Sequence, residues 1–263
     1  MDLGDGPALP LYLSEPTRAV ADFGLYLAAR PLVPRLPAGD GHPVLVLPGL
    51  LADDGSTHAL RSVLRRLGYR VHGWRLGRNI GPTAACVEGM QARVDDLADR
   101  YGRPISLVGW SLGGIYARDL ARRTPDAVRQ VITLGSPFGM TRHSQSRASR
   151  AFDRFAHLHA ERRSLPVEPD GCPLPVPATS VYSHLDGIVH WSTCLNTPGE
   201  RCENIAVTAS HLGLGHHPAA LYAVADRLAQ PEGTWRPFRA PLWLRPAFPR
   251  PDVPPPARRA AAA

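Results

Sequence analysis

Short, unbroken apolar runs alternate with segments of helical periodicity between residues 43 and 135. Apolar runs without polar interruptions are typical of parallel strands that helices cover on both faces. The pattern therefore predicts an α/β fold with a doubly wound, mostly parallel sheet, in which ligands bind at the carboxyl ends of the strands. In chain order the segments are HPVLVLPG, STHALRSVLRRLG, YRVHGW, CVEGMQARVDDLADRYG, RPISLVG, GGIYARDLARR and VRQVITLG.

The alternation lapses over residues 139–176, where a helical stretch leads into the proline-rich PVEPDGCPLPVP. Strand patterns then resume at ATSVYS and ENIAVTAS, and a helix is predicted over PAALYAVADRLAQ. An insertion at this point would overhang the carboxyl edge of the sheet, so we interpret 139–176 as a helical lid. The alternative is an excursion that packs elsewhere. We predict one domain over residues 1–235, followed by a Pro/Arg-rich tail over 236–263 whose last residues are expected to be disordered.

The composition is that of an ordinary globular protein, with 44% hydrophobic and 20% charged residues. The net charge of +7 comes from arginine alone, because the chain has no lysine. These arginines are interleaved with acids, as in RVDDLADRYGR, which indicates solvated helix faces and argues against nucleic-acid binding.

The N-terminal segment lacks the basic and apolar regions of a signal peptide, and no apolar run is long enough to span a membrane. We therefore expect a cytoplasmic protein. The four cysteines have no CxxC spacing, which argues against a structural zinc site. Cys194 and Cys202 are close enough in sequence to pair in an oxidising compartment, whereas reduced thiols are the default in a cytoplasm.

The segment VGWSLGG places Ser111 between a predicted strand and a predicted helix. Gly109 and Gly113 stand where side chains would collide in a tight turn of this kind. In such a turn the serine takes a strained backbone conformation, its hydroxyl is exposed, and the amide of Leu112 faces a developing oxyanion. We predict that Ser111 is a nucleophile. The alternative is a plain bend of small residues between a strand and a helix.

A serine nucleophile needs a base, and the base needs a carboxylate that orients it; in this fold class the chain order is serine, acid, histidine. Asp186 follows the predicted strand ATSVYS and precedes a glycine, so a turn can direct its carboxylate over the sheet edge. The alternative for Asp186 is a turn-forming aspartate. We predict His211, directly after ENIAVTAS, as the base. His190 is too close to Asp186 in sequence, and His216 and His217 lie at the start of a helix; an ordinary loop histidine is the alternative for His211.

A second donor to the anion is expected from LVLPGLLADD, the loop after the first strand. Gly49 would let the backbone approach the substrate. The amide of Leu50 is the predicted donor opposite Leu112, and the amide of Leu51 is the alternative.

Six segments in order, over residues 43–235, resemble the α/β-hydrolase superfamily and, more narrowly, its bacterial esterases and lipases. The resemblance implies a catalytic triad of Ser111, Asp186 and His211. The frequent HG pair of that superfamily is replaced here by Pro48 and Gly49, which leaves the backbone donors intact. The six segments are VLPGLLADDGST, GWRLGRNIGPT, VGWSLGG, LGSPFG, YSHLDGIVHW and SHLGLGHHPAALYAVADRLAQ.

These residues and the resemblance together predict a serine-dependent carboxylic ester hydrolase that forms an acyl-enzyme and needs no metal or organic cofactor. Leu51, Trp110 and Met140 predict an apolar pocket for a small apolar ester or lipid-like substrate with a short to medium acyl chain, although apolar side chains line most covered pockets. An acyltransferase that uses the same acyl-enzyme is one alternative, and a noncatalytic binding protein is another. The sequence carries no signal for a particular oligomeric state.

Overall fold

A computed structural model describes residues 6–160 and 173–252 of the 263-residue chain. Within these ranges a six-stranded sheet has the strand order β2-β1-β3-β4-β5-β6. All neighbouring strands are parallel. The predicted α/β fold with a parallel sheet is confirmed. The strands are β1 (Pro43–Leu47), β2 (Arg70–Gly73), β3 (Ile105–Trp110), β4 (Val128–Leu134), β5 (Ala178–Tyr182) and β6 (Cys202–Ala206).

Helices cover both faces of the sheet. Val44 and Val46 of β1 pack in the same cluster as α2 and α6, whereas Leu45 and Leu47 pack with α3 and α4. This division follows from the pleat, which directs successive side chains of a strand to opposite faces. The helices are α1 (Leu9–Ala29), α2 (His58–Arg66), α3 (Ala84–Tyr101), α4 (Leu112–Arg123), α5 (Ser149–Asp153) and α6 (Pro218–Leu228).

The periodicity did not predict α1, because its polarity is the reverse of an ordinary surface helix. Leu13 and Val20 are 68% and 73% exposed, whereas Glu15 and Asp22 are only 1% and 7% exposed. The helix therefore turns two carboxylates towards the domain and leucines towards solvent.

The excursion after β4 is described as far as residue 160. Ser146 forms an antiparallel bridge with Val189 in the loop after β5, and the His190 N–H donates to the Gln145 carbonyl at 2.9 Å. These contacts fasten the beginning of the excursion to the loop after β5. Residues 161–172, which carry the middle of the predicted lid, lie outside the described residues. Between the end of β4 and residue 160 the elements are α5 and two 3₁₀ turns, His143–Gln145 and Ala156–Leu158.

The first part of the proline- and arginine-rich tail packs against the domain. Phe238 and Phe248 contact the core cluster that contains α6, and a 3₁₀ turn covers Leu242–Ala247. The Tyr182 hydroxyl of β5 donates to the Asp252 carboxylate at 2.7 Å. The expectation of disorder applies to the end of the tail, and residues 253–263 lie outside the described residues.

Cys194 is a buried free thiol, so no disulfide joins it to Cys202. Within residues 6–160 and 173–252 no helix has both the length and the hydrophobicity needed to cross a bilayer. In the same ranges no group of histidine, cysteine and acidic side chains could hold a metal ion.

Candidate active site

Ser111 lies in the turn between β3 and α4 with φ +53° and ψ −121°. This conformation is costly for a residue with a Cβ, by about 1–3 kcal/mol, and the Ser111 N–H is held by the Leu134 carbonyl at 2.8 Å. A Cβ on Gly109 would lie 2.3 Å from the Gly113 carbonyl oxygen, and a Cβ on Gly113 would lie 2.3 Å from the Leu47 carbonyl oxygen. Both positions therefore require glycine, for the steric reason that the sequence indicated.

Asp186 and His211 meet in a buried hydrogen bond. Asp186 follows β5 and His211 follows β6, and the distance from His211 Nδ1 to Asp186 Oδ2 is 2.5 Å. Both residues are 4% exposed. The other carboxylate oxygen, Oδ1, accepts from the amides of Ile188 and Val189, each at 2.8 Å. Because Asp186 engages Nδ1, Nε2 is the ring nitrogen of His211 that can take a proton.

Trp110 links the serine turn to the histidine loop. Its indole N–H donates to the His211 carbonyl oxygen at 3.1 Å, and Ser111 is the next residue along the chain. In the described part of the chain no hydrogen bond joins Ser111 Oγ to His211, and such bonds often tighten only when substrate binds. The structure thus brings Ser111, Asp186 and His211 to one edge of the sheet.

The other candidate histidines make different contacts. His190 Nδ1 lies 2.7 Å from Ser192 Oγ, and burial lowers the pKa of His190. His217 is the N-cap of α6, where its Nδ1 accepts from the Ala219 amide at 3.2 Å. His216 Nε2 lies 3.3 Å from the Ala19 carbonyl oxygen of α1. Among these histidines, His211 alone contacts Asp186 in the described residues.

The loop after β1 approaches Ser111 closely. A Cβ on Gly49 would lie 3.2 Å from Ser111 Cβ, so glycine permits this approach. The Leu50 amide makes no hydrogen bond within the described residues. Leu112 is the first residue of α4, where amides have no partner within the helix. The amides of Leu50 and Leu112 are therefore available to an anion beside Ser111.

Asn79 holds this loop through hydrogen bonds and engages the Leu51 amide, the alternative donor to the anion. The Leu51 amide, at φ +61°, donates to the Asn79 carbonyl at 2.6 Å, so it is already engaged. The buried Asn79 side chain donates from Nδ2 to the Pro48 carbonyl at 2.9 Å. Its Oδ1 lies 3.3 Å from the Tyr116 hydroxyl. Sequence analysis assigned no role to Asn79, and its place in the segment GWRLGRNIGPT is the one signal that could have pointed to it.

Replacement of Asn79 by alanine should damage the loop and the reaction together. The Pro48 carbonyl would lose its partner inside the protein, which costs about 1–3 kcal/mol of stability, and the displaced loop should lower kcat by about 10- to 100-fold. Asn196→Ala is the matched control, because this buried asparagine also donates to a backbone carbonyl, that of Glu203, at 2.9 Å. Thermal unfolding and ester hydrolysis would be measured for both. Equal losses of kcat in the two variants would contradict a specific role for Asn79.

The pKa of His211 is raised above its ordinary value. Burial acts to lower it, but the charge and hydrogen bond of Asp186 and the charge of Glu15 outweigh burial. The imidazolium form of His211 is thus stabilised in a buried site, as a base that takes the proton of Ser111 requires.

A small cavity of about 50 Å³ opens beside Ser111 and is mostly apolar. Leu50, Leu112 and Met140 line it together with Phe152 of α5. Met140, predicted as a pocket residue, thus lies beside Ser111 in the lining of this cavity.

Leu51 and Trp110, also predicted as pocket residues, do not line this cavity in the described structure. Leu51 is 43% exposed, and the Trp110 side chain is buried against the histidine loop. A Cβ on Gly215 would lie 2.5 Å from the indole of Trp110. The indole thus packs behind the His211 loop.

No protein-family model matches the chain, and no curated protein matches it in sequence. Solved structures do match its fold. Lipase B from Aspergillus fumigatus is 15% identical with a TM-score of 0.59, over 73% of this chain and 53% of the lipase. The chain therefore spans about half the length of that lipase.

Two further solved structures match this chain over most of their own length. A pyrethroid hydrolase from Sphingobium faniae is 18% identical with a TM-score of 0.48, over 72% of this chain and 98% of that enzyme. A naproxen esterase from Bacillus subtilis is 16% identical with a TM-score of 0.45, over 73% and 86%. The sheet order and the match to the Aspergillus lipase together show that the chain has an α/β-hydrolase fold.

Proposed function

We propose that this protein is a carboxylic ester hydrolase that works through an acyl-enzyme on Ser111. The observation that carries the proposal is the buried 2.5 Å hydrogen bond between His211 and Asp186, at the same sheet edge as a serine in a strained turn. A carboxylate, an imidazole and a serine hydroxyl at one edge are the parts that nucleophilic acyl transfer requires.

In the proposed reaction Ser111 Oγ attacks the acyl carbon of the ester while His211 Nε2 takes its proton. Asp186 holds the imidazole through Nδ1 and stabilises the cation. The amides of Leu50 and Leu112 donate to the oxyanion of the tetrahedral intermediate. His211 then protonates the leaving alcohol, and a water molecule, deprotonated by His211, hydrolyses the acyl-enzyme.

The lining of the cavity supports a small apolar acyl group. Leu50, Met140 and Phe152 offer hydrocarbon surface beside Ser111, so burial of an acyl chain there would be favourable. Phe152 belongs to α5 in the excursion after β4, which supports a covering role for that excursion. We therefore propose esters with short to medium acyl chains as substrates.

A series of p-nitrophenyl esters with increasing acyl length tests this proposal. We expect release of p-nitrophenol, with kcat/KM highest for short to medium chains and lower for long ones. Addition of butanol separates hydrolysis from acyl transfer, because a transferase would form the butyl ester in place of the free acid. Absence of turnover for every chain length, with folded protein, would argue for a noncatalytic binding protein.

A further inference from the structure

Helix α1 carries two buried carboxylates on one face. Glu15 and Asp22 are 1% and 7% exposed, and they lie seven residues, or about two turns, apart in the helix. Burial of a carboxylate is unfavourable unless hydrogen bonds or opposite charges compensate it. The backbone amides that donate to these carboxylates lie in the loops that carry Asp186 and His211.

Glu15 bridges these two loops with its two carboxylate oxygens. Oε1 accepts from the Leu212 amide at 2.8 Å, and Oε2 accepts from the Gly187 amide at 2.9 Å. Leu212 directly follows the base, and Gly187 directly follows the acid. Arg18, one turn along α1, donates to Oε2 at 2.6 Å and also to the Leu185 carbonyl. A single side chain thus contacts the residue after each partner of the Asp186–His211 hydrogen bond.

Asp22 holds the other side of the histidine. Its Oδ2 accepts from the Ser210 amide at 2.9 Å and from the Ser210 hydroxyl at 2.6 Å. The backbone is therefore fixed on both sides of His211, by Asp22 at residue 210 and by Glu15 at residue 212. The Asp22 carboxylate also lies close to Gly213, where a Cβ would be only 1.9 Å from Asp22 Oδ2.

On the basis of the proposed function, we propose that Glu15 is a positioning residue for the reaction, which sets the separation of the Asp186 and His211 loops, with Asp22 as its partner on α1. We call Glu15 and Asp22 the α1 clamp. In the described residues neither carboxylate is hydrogen-bonded to Ser111 or to the His211 ring. The clamp acts through the geometry of the imidazole, and small displacements of a catalytic group are costly in rate.

The hydrogen-bonding pattern distinguishes the two members of the clamp. A carboxylate accepts at both oxygens, whereas a side-chain amide accepts at only one. Glu15 uses its two oxygens for two different loops, so Glu15→Gln must lose one of these contacts. Asp22 uses one oxygen for both contacts with Ser210, so Asp22→Asn can keep them. Glu15→Gln should therefore be the more damaging of two isosteric substitutions.

The charge of Glu15 also gives the proposal an electrostatic readout. The charged groups that act on the pKa of His211 are Asp186 from the loop after β5 and Glu15 from α1. Arg18 is paired with Glu15, and on the far side of the loop Asp22 faces His217 at 3.9 Å. Removal of the Glu15 charge leaves Arg18 uncompensated. The pKa of His211 should then fall, and the neutral base should persist to lower pH.

The test compares wild type, Glu15→Gln and Asp22→Asn with Glu88→Gln, which makes the same substitution at an exposed position of α3. The kcat and KM for p-nitrophenyl acetate would be measured from pH 5 to 9 per site labelled by a fluorophosphonate, so that unfolded protein is not counted. For Glu15→Gln we expect kcat to fall about 10- to 100-fold with KM little changed, and the acid limb of kcat/KM to move to lower pH. Asp22→Asn should lose less, and Glu88→Gln should match wild type.

A value of kcat and an acid limb for Glu15→Gln equal to those of Glu88→Gln would overturn the clamp. So would a loss confined to the number of labelled sites, because that result denotes a structural role only. If Glu15→Gln does not fold, Glu15→Asp decides. It keeps the charge but retracts the oxygens by one methylene, so kcat per labelled site should fall while the acid limb stays in place, and a wild-type kcat would refute the clamp.

Titration of the His211 ring by NMR separates the clamp from the proposed function. We expect a lower pKa of His211 in Glu15→Gln than in wild type, whether or not the protein hydrolyses esters. Wild-type protein without ester turnover would count against the proposed function alone. An unchanged His211 titration would count against the clamp alone.

Discussion

Ser111→Ala should abolish covalent labelling by a fluorophosphonate and lower kcat by about 10⁴- to 10⁶-fold. The reason is that Ser111 provides the hydroxyl of the strained turn between β3 and α4, at the same sheet edge as His211, and alanine has none. The fold should survive, because alanine has the same Cβ as serine and experiences the same strain at φ +53°. The measurement is a labelling gel together with single-turnover kinetics on a p-nitrophenyl ester.

Ser56→Ala is the control for this experiment, since Ser56 is an exposed serine before α2. It should label and turn over as wild type does. Labelling of Ser111→Ala at the wild-type rate, with an unchanged thermal unfolding curve, would refute Ser111 as the nucleophile.

His211→Gln should lower kcat/KM by about 10⁴-fold or more, and Asp186→Asn by about 10⁴-fold. The first change removes the proposed base, and the second should leave the imidazole with the wrong tautomer. In wild type the activity should fall with acid as His211 becomes protonated. Because the pKa of His211 is raised, this acid limb should lie at higher pH than an unperturbed histidine would give, and measurement of kcat/KM against pH checks it.

Two histidines serve as controls for the base. His190→Gln should leave kcat/KM near wild type, because the His190 ring contacts Ser192 Oγ and makes no hydrogen bond to Asp186 in the described residues. His217→Gln removes a cap of α6 and should cost about 1 kcal/mol of stability with little effect on kcat. If either of these variants lost more activity than His211→Gln, the base would have to be reassigned. An activity profile that stays flat to about pH 4 would lead to the same conclusion.

The strands and most of the helices could be predicted because buried parallel strands and amphipathic helices leave local, periodic patterns. The run PVLVL of β1 is apolar throughout because helices pack on both faces of the sheet. The glycines around Ser111 are also a local signal, since the crowding that requires them arises within a single turn. Asp186 and His211 were predicted from the chain order serine, acid, histidine of this fold class together with their positions directly after predicted strands, whose carboxyl ends meet at one edge.

Helix α1 and its carboxylates left no such signal. The helix exposes Leu13 and Val20 and buries Glu15, so its polarity misleads any argument from amphipathic pattern. The partners of Glu15 are 172 and 197 residues away along the chain. Contacts between residues so far apart in sequence depend on how the loops after β5 and β6 pack against the first helix. Local sequence patterns do not predict that packing.

Side-chain direction is the other feature that required the folded chain. Trp110 is next to Ser111 in sequence, yet its indole packs behind the histidine loop and bonds to the His211 carbonyl. From the sequence, either the Leu50 or the Leu51 amide could be the second donor to the anion. In the structure the Leu51 amide already donates to the Asn79 carbonyl. Local periodicity and glycine sterics were sufficient to predict the sheet and the turn that carries Ser111, whereas the prediction of Asp186 and His211 also used the chain order of this fold class. The choice of donors, pocket walls and positioning carboxylates depended on contacts between segments far apart in sequence, because only packing brings those groups within hydrogen-bond distance.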